Sequence, residues 1–144
     1  MDTLLFGDYT AEVDGHRLPI VVERKSLPDL FATMTRGYTR FRQELFLARE
    51  SQVKMLLGVE ASLLVVYDGI PYSDFSGASC VQKVFTLWLK YGLQPVFCST
   101  PYELARFLEE LFHAMARTYV KETPNVGSPQ GYPATLPTAS PEPD

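Results

Sequence analysis

Cysteine is scarce in this chain, and its two copies, Cys80 and Cys98, lie in apolar segments without CxxC or Cys/His spacing. They read as small buried hydrophobes of a reducing compartment rather than as a disulfide or a zinc site. Histidine is as rare. His16 falls in a turn-like segment and His113 in a long helical stretch, and neither has the spacing of a metal ligand. No apolar run approaches the roughly 18 residues of a membrane span, and Met1-Asp2-Thr3 lacks the basic start of a signal peptide, so a cytoplasmic protein is expected. Internal repeats are also missing. What remains is 144 residues, 46% hydrophobic and 21% charged, which is enough for one domain with a real core.

The net charge of −4 argues, taken whole, against a nucleic-acid partner. Its distribution is uneven. Between His16 and Lys54 there are eight basic residues against four acids, whereas the first 15 residues carry four acids and no base. A locally basic middle is compatible with phosphate contact, and equally with a solvated helix face of mixed charge.

The coarse pattern is that of an α/β chain. Leu4–Glu12 and Arg17–Lys25 read as strands around Val13-Asp14-Gly15-His16, where Asp-Gly signals a hairpin. Ser26-Leu27-Pro28-Asp29 opens a short helix, with Ser26 as cap, proline in the first turn and an acid favoured by the helix dipole. Arg36-Gly37 ends it. A longer helix from Thr39 to Ser51 carries Phe41, Leu45 and Ala48 on one face. The apolar run Ala61–Tyr67 is expected as a strand covered on both faces, and Ile70–Gly77 as a loop. A helix from Ser79 or Cys80 to Tyr91 stops at Gly92. Leu93–Cys98 is a short strand, and Thr100-Pro101-Tyr102-Glu103 is a capping box that launches a helix to Glu122. Strand–helix alternation from Ala61 onward predicts parallel central strands. Thr123–Asp144 holds six of the eleven prolines and is expected to be a disordered tail after a domain of residues 1–122.

One string carries chemistry. The apolar run Leu18-Pro19-Ile20-Val21-Val22 feeds straight into Glu23-Arg24-Lys25. Side chains alternate along a strand, so Glu23 and Lys25 share a face, about 6–7 Å apart along the chain, and Arg24 points the other way. The hairpin brings Asp8 towards Glu23, so that two carboxylates can share one cation. A divalent cation, an attacking water and an adjacent ammonium are what metal-dependent phosphodiester hydrolysis requires.

Gly7-Asp8, then Val22-Glu23-Arg24-Lys25 and Asp29, resembles the nuclease domain of XPF-type structure-specific endonucleases, including archaeal Hef-like proteins. Their signature is Gly-Asp, a variable stretch and Glu-Arg-Lys-x-x-x-Asp. The likeness continues through Arg40-Phe41-Arg42-Gln43 and, more loosely, through an apolar strand at Leu63–Tyr67 and through Tyr91–Val96, covering Leu5 to Glu122. The chain most resembles the short stand-alone bacterial and phage forms.

The resemblance implies a restriction-endonuclease-like mixed sheet flanked by helices and a metal-dependent DNA endonuclease acting at branched or junction DNA. Asp8 and Glu23 would be ligands for Mg²⁺ or Mn²⁺, and Lys25 would assist the attacking water and steady phosphate charge. Arg24 would act in the site or bridge to the next helix or to Asp29. Asp29 would be the final acid of the motif, or a helix-start acid only. Arg36, Arg40, Arg42 and Gln43 are candidates for DNA contact, and Tyr38 beside them either stacks or packs.

Relatives also carry an earlier strand with an Asp-x-Arg-Glu motif, which this sequence begins too late to include. The competing expectation is therefore a catalytically inactive DNA-binding or dimerisation module. Pairing into a homodimer is expected through the C-terminal helices, where Val84, Leu87, Trp88 and Tyr91 precede the stripe Leu104, Phe107, Leu108, Leu111, Phe112, Met115 and Tyr119.

Overall fold

The computed structural model describes residues 9–122. Asp14 and Gly15 both adopt positive φ, 52° and 81°. That backbone matches the twist of a tight hairpin, and it joins β1 (Tyr9–Val13) to β2 (His16–Lys25) as an antiparallel pair with Tyr9 opposite Val22. The register slips between Thr10 and Glu12. Asp8, the expected strand start from Leu4 and the segment Thr123–Asp144 lie outside the described residues.

β2 then continues as a parallel partner. Ser26 caps α1 (Leu27–Met34), its hydroxyl accepting the Asp29 amide, and α2 (Tyr38–Glu50) starts after Gly37 and buries the expected Phe41, Leu45 and Ala48. The chain returns through β3 (Lys54–Val59), parallel to β2 with Glu23 opposite Leu57 and Lys25 opposite Val59. After α3 (Leu63–Asp68) and α4 (Gly77–Tyr91), β4 (Gln94–Phe97) pairs in parallel with β3, and α5 spans Pro101–Glu122. Among the described residues the sheet order is β1-β2-β3-β4. This is the expected mixed α/β sheet with parallel central strands.

The position of the central strand corrects the sequence reading. Ala61–Tyr67 does not form a strand: Leu63–Asp68 is helical, Ser62 caps it by accepting the Val65 amide, and Leu64 stands 74% exposed. The strand is Lys54–Val59, with five consecutive buried residues from Met55. The looser family likeness assigned to a strand at Leu63–Tyr67 is corrected with it. Both runs are short and apolar, and periodicity cannot separate such runs. Ser62 three residues before Val65 is the local signal that favours the helix.

Helices cover both faces. Met55, Leu57 and Val59 join Leu30, Phe31, Met34, Val66, Cys80, Val81, Val84 and Leu87 in one core built with α1 to α4. On the other face Gly58 lets α5 approach, since a Cβ there would meet Leu104 Cδ1 at 2.9 Å. Each fully buried Leu or Val contributes about 1.5–3 kcal/mol by leaving water, so β3 is the strand on which both layers rest. The helix expected from Ser79 or Cys80 starts at Gly77, capped by Ser76, and ends as expected at Gly92, whose φ is 78°. Among the described residues no helix is long and apolar enough to cross a membrane.

Candidate active site at the strand mouth

β2, β3 and β4 all run the same way, so their carboxyl ends form one edge of the sheet. It is tied by backbone bonds from Glu60 N–H to the Lys25 carbonyl (2.9 Å) and from Cys98 N–H to the Val59 carbonyl (2.9 Å). In open α/β sheets, ligands bind outside such carboxyl ends. Glu23 lies there, 8% exposed, and is the buried charged side chain among the described residues.

A buried carboxylate costs several kcal/mol unless it is paired. Glu23 is paired: Lys25 Nζ lies 3.2 Å from its Oε2. Strand alternation puts both on the face that carries Leu57 and Val59, as expected from the sequence. Arg24 points to the opposite face and donates from Nη1 to Glu60 Oε2 at 2.6 Å. This partner is the residue after β3. Glu60 was not singled out as a partner. Its position directly behind an apolar strand run was the available signal, hidden because that run was not read as a strand.

Asp29 is exposed in the first turn of α1, where its backbone N–H donates to Ser26 Oγ at 3.3 Å. Arg36 is exposed in the turn before α2. On α2, Arg40 pairs along the helix with Glu44 at 3.9 Å, and the Arg42 guanidinium lies 5.9 Å from the centroid of the Tyr38 ring. At 3.6 residues per turn, Arg40 and Arg42 are about 200° apart around the axis. They flank the buried stripe on opposite sides, and the exposed Gln43 lies between them on the solvent side. Arg40, Gln43 and Arg42 thus spread over about 160° of the solvent side of α2. Among the described residues no three carboxylate, histidine or cysteine side chains gather into one cluster.

Cys98, at the same sheet edge, has its thiol pushed up by burial and then by the nearby charge of Glu103. Glu103 itself accepts the Ser99 amide while its own N–H donates to Thr100 Oγ1 (3.0 Å), so the capping box forms, reaching one residue further back than expected.

The family model of the ERCC4 domain matches residues 1–111. The chain belongs to the ERCC4 domain family. Its fold is that of XPF-type nuclease domains: XPF from Aeropyrum pernix superposes with a TM-score of 0.57 at 22% identity, over 90% of this chain. The chain spans 57% of that relative's length. No curated protein matches it. The Glu-Arg-Lys string thus lies at the carboxyl edge of the parallel strands in an ERCC4 domain.

Proposed function

We propose that this ERCC4 domain, residues 1–122, is a divalent-metal-dependent endodeoxyribonuclease that hydrolyses phosphodiesters at branched or junction DNA, with 123–144 as a tail. The observation that carries the reading is the buried Glu23 carboxylate, 3.2 Å from the Lys25 ammonium, at the carboxyl edge of the parallel strands. The donor chemistry fits a hard cation: a carboxylate held out of bulk water near the carboxyl ends of the strands, on the face it shares with Lys25. Asp8 is its proposed second ligand. It precedes Tyr9, and Tyr9 pairs with Val22, the residue before Glu23.

Mg²⁺ or Mn²⁺ held there would supply Lewis-acid stabilisation of the phosphoryl group and activation of water. The protein's own groups do the rest. Glu23 and Asp8 fix where positive charge is held. Lys25, on Glu23's face, brings an ammonium to the phosphate as negative charge develops in the transition state. Arg24, tied to Glu60 on the other face, positions the strand end. Asp29 is assigned to the site as the motif's last acid, and Arg36, Arg40, Arg42 and Gln43 to the DNA surface. A homodimer is proposed through α4 and α5.

The test incubates the full chain with fork, flap and linear duplex DNA in Mg²⁺, Mn²⁺ or EDTA. Cleavage of the branched substrates is expected only with metal, and Asp8→Ala, Glu23→Gln and Lys25→Met each remove it. Cleavage that survives in Glu23→Gln sinks the assigned roles. Branched-DNA binding without cleavage under any metal identifies an inactive binding module instead.

A further inference from the structure

A second cluster lies away from the Glu23–Lys25 pair. Lys83, on α4, donates from Nζ to the Met34 carbonyl at the end of α1 (2.9 Å). Its ammonium lies 4.2 Å from the centroid of the Tyr38 ring and 5.2 Å from that of Phe75. Arg42 approaches the same Tyr38 ring at 5.9 Å, and Phe31 holds Phe75 edge-on at 6.1 Å between centroids. Segments distant in sequence thus bring two cations and three rings together, with Tyr38 and Phe75 half-buried, and Arg36, two residues before Tyr38 in the chain, is exposed.

The loop before Phe75 adds the second feature. Tyr72 is fully exposed, and its φ is 61°, a conformation that bulky L-residues rarely adopt. The loop holds it there from both sides. Gly69 turns the chain at φ 82° and bonds its N–H to the Val66 carbonyl, while the Ser73 hydroxyl accepts the Phe75 amide at 3.1 Å. Packing does not explain a large ring placed wholly in water on an uncommon backbone. Strain of this kind persists where surrounding structure enforces it, commonly at ligand contacts.

We propose that Tyr72, Tyr38, Arg42 and Lys83 form a platform for a single-stranded DNA arm, with Tyr72 stacking on a base and Arg36 and Arg42 taking phosphates. Aromatic faces interleaved with cations bind single strands with little sequence preference, because every unpaired base offers a π-face. A duplex keeps its faces stacked and gains little from Tyr72. Asp68 and Asp74 flank the loop and repel phosphate, so the base side of the strand meets Tyr72 while the backbone lies towards Arg36 and Arg42. The choice of DNA as occupant rests on the nuclease reading. The exposed Leu64 and Tyr67 of α3 make a protein partner the competitor.

The test is fluorescence anisotropy of the full chain with labelled oligothymidylate and with duplex DNA of equal length, in EDTA, so that no cleavage is read. The parent is expected to prefer the single strand. Tyr72→Ala weakens that binding about fivefold or more and leaves duplex binding unchanged, whereas Tyr72→Phe restores it. Arg42→Ala flattens the dependence of log affinity on log salt by about 0.7. Asp74→Asn tightens binding. Unchanged melting temperatures show that the fold is retained.

Parental single-strand affinity in Tyr72→Ala, an equal loss on duplex, or no single-strand binding by the parent overturns the proposal. Loss of the Glu23 assignment in the cleavage assay leaves this result standing, and a failure here leaves that assay's result standing.

Discussion

Glu23 and Lys25 are not equivalent halves of their pair. Glu23 is the more buried, so deleting Lys25's charge leaves a carboxylate in a poorly solvated place, while deleting Glu23's charge frees a lysine that reaches solvent more easily. Lys25→Met is therefore expected to cost about 1–3 kcal/mol, and Glu23→Gln distinctly less, read as urea midpoints at constant slope. An order reversed in stability would show that Glu23 is not the desolvated partner.

Cys80 gives a pH-dependent counterpart inside the core. Burial pushes its thiol from 9.0 up to about 11, slightly offset by the charge of Lys83. Between those values the unfolded chain loses the proton while the folded chain keeps it. Its contribution is full below pH 9.0 and is lost as pH rises towards about 11. Cys80→Ala should flatten the fall of the urea midpoint across that window; an unchanged slope would show that the thiol is not responsible.

At the scale of elements, α3 and α4 meet through a glycine. A Cβ on Gly77 would run into the backbone carbonyl oxygens of Val66 and Tyr67, which side-chain motion cannot relieve. Gly77→Ala is expected to cost several kcal/mol by overpacking, at the upper end of the ~1–3 kcal/mol usual for such changes, in a thermal melt. Gly58→Ala meets only the flexible end of Leu104 and should cost less. Equal costs would show that the α3–α4 contact yields as easily as the packing of α5.

The caps explain why the helices start where they do. Ser26, Ser62 and Ser76 each accept an amide three residues on, and each cap of this kind contributes about 1 kcal/mol. Two of these three starts were anticipated closely or within a few residues. The third, at Ser62, was obscured by the apolar residues after it.

At the scale of the whole molecule, the expected dimer surface shrinks to what the core leaves over. Val84 and Leu87 are fully buried by their own sheet and Leu104 packs at Gly58, whereas Trp88 and Leu89 on α4 and Tyr102 and Phe107 on α5 are exposed, and Tyr91, Leu108, Leu111, Phe112 and Tyr119 are half-buried. In the chain these two helices precede and follow β4, an edge strand of the described sheet. With Leu89 86% exposed, Leu89→Glu should convert a dimer to a monomer in sedimentation velocity without lowering the melting temperature. A parent that sediments as a monomer removes the proposal.

Much of this protein was written locally in its residues. The Asp14-Gly15 hairpin, the Ser26 cap, the Gly92 stop and the face shared by Glu23 and Lys25 depend on backbone preference and on the period of a strand, which neighbouring residues determine. Which of two apolar runs becomes the central strand depends on what pairs with it. Only the tertiary structure put Lys54–Val59 between β2 and β4 and left Leu63–Asp68 as a capped helix. The same holds for Arg24 with Glu60 and for Lys83 with Tyr38, contacts between segments distant in sequence. The sequence determined the Glu-Arg-Lys strand end with its family; the tertiary structure decided which of its charges is buried, because desolvation depends on the layers packed around a side chain.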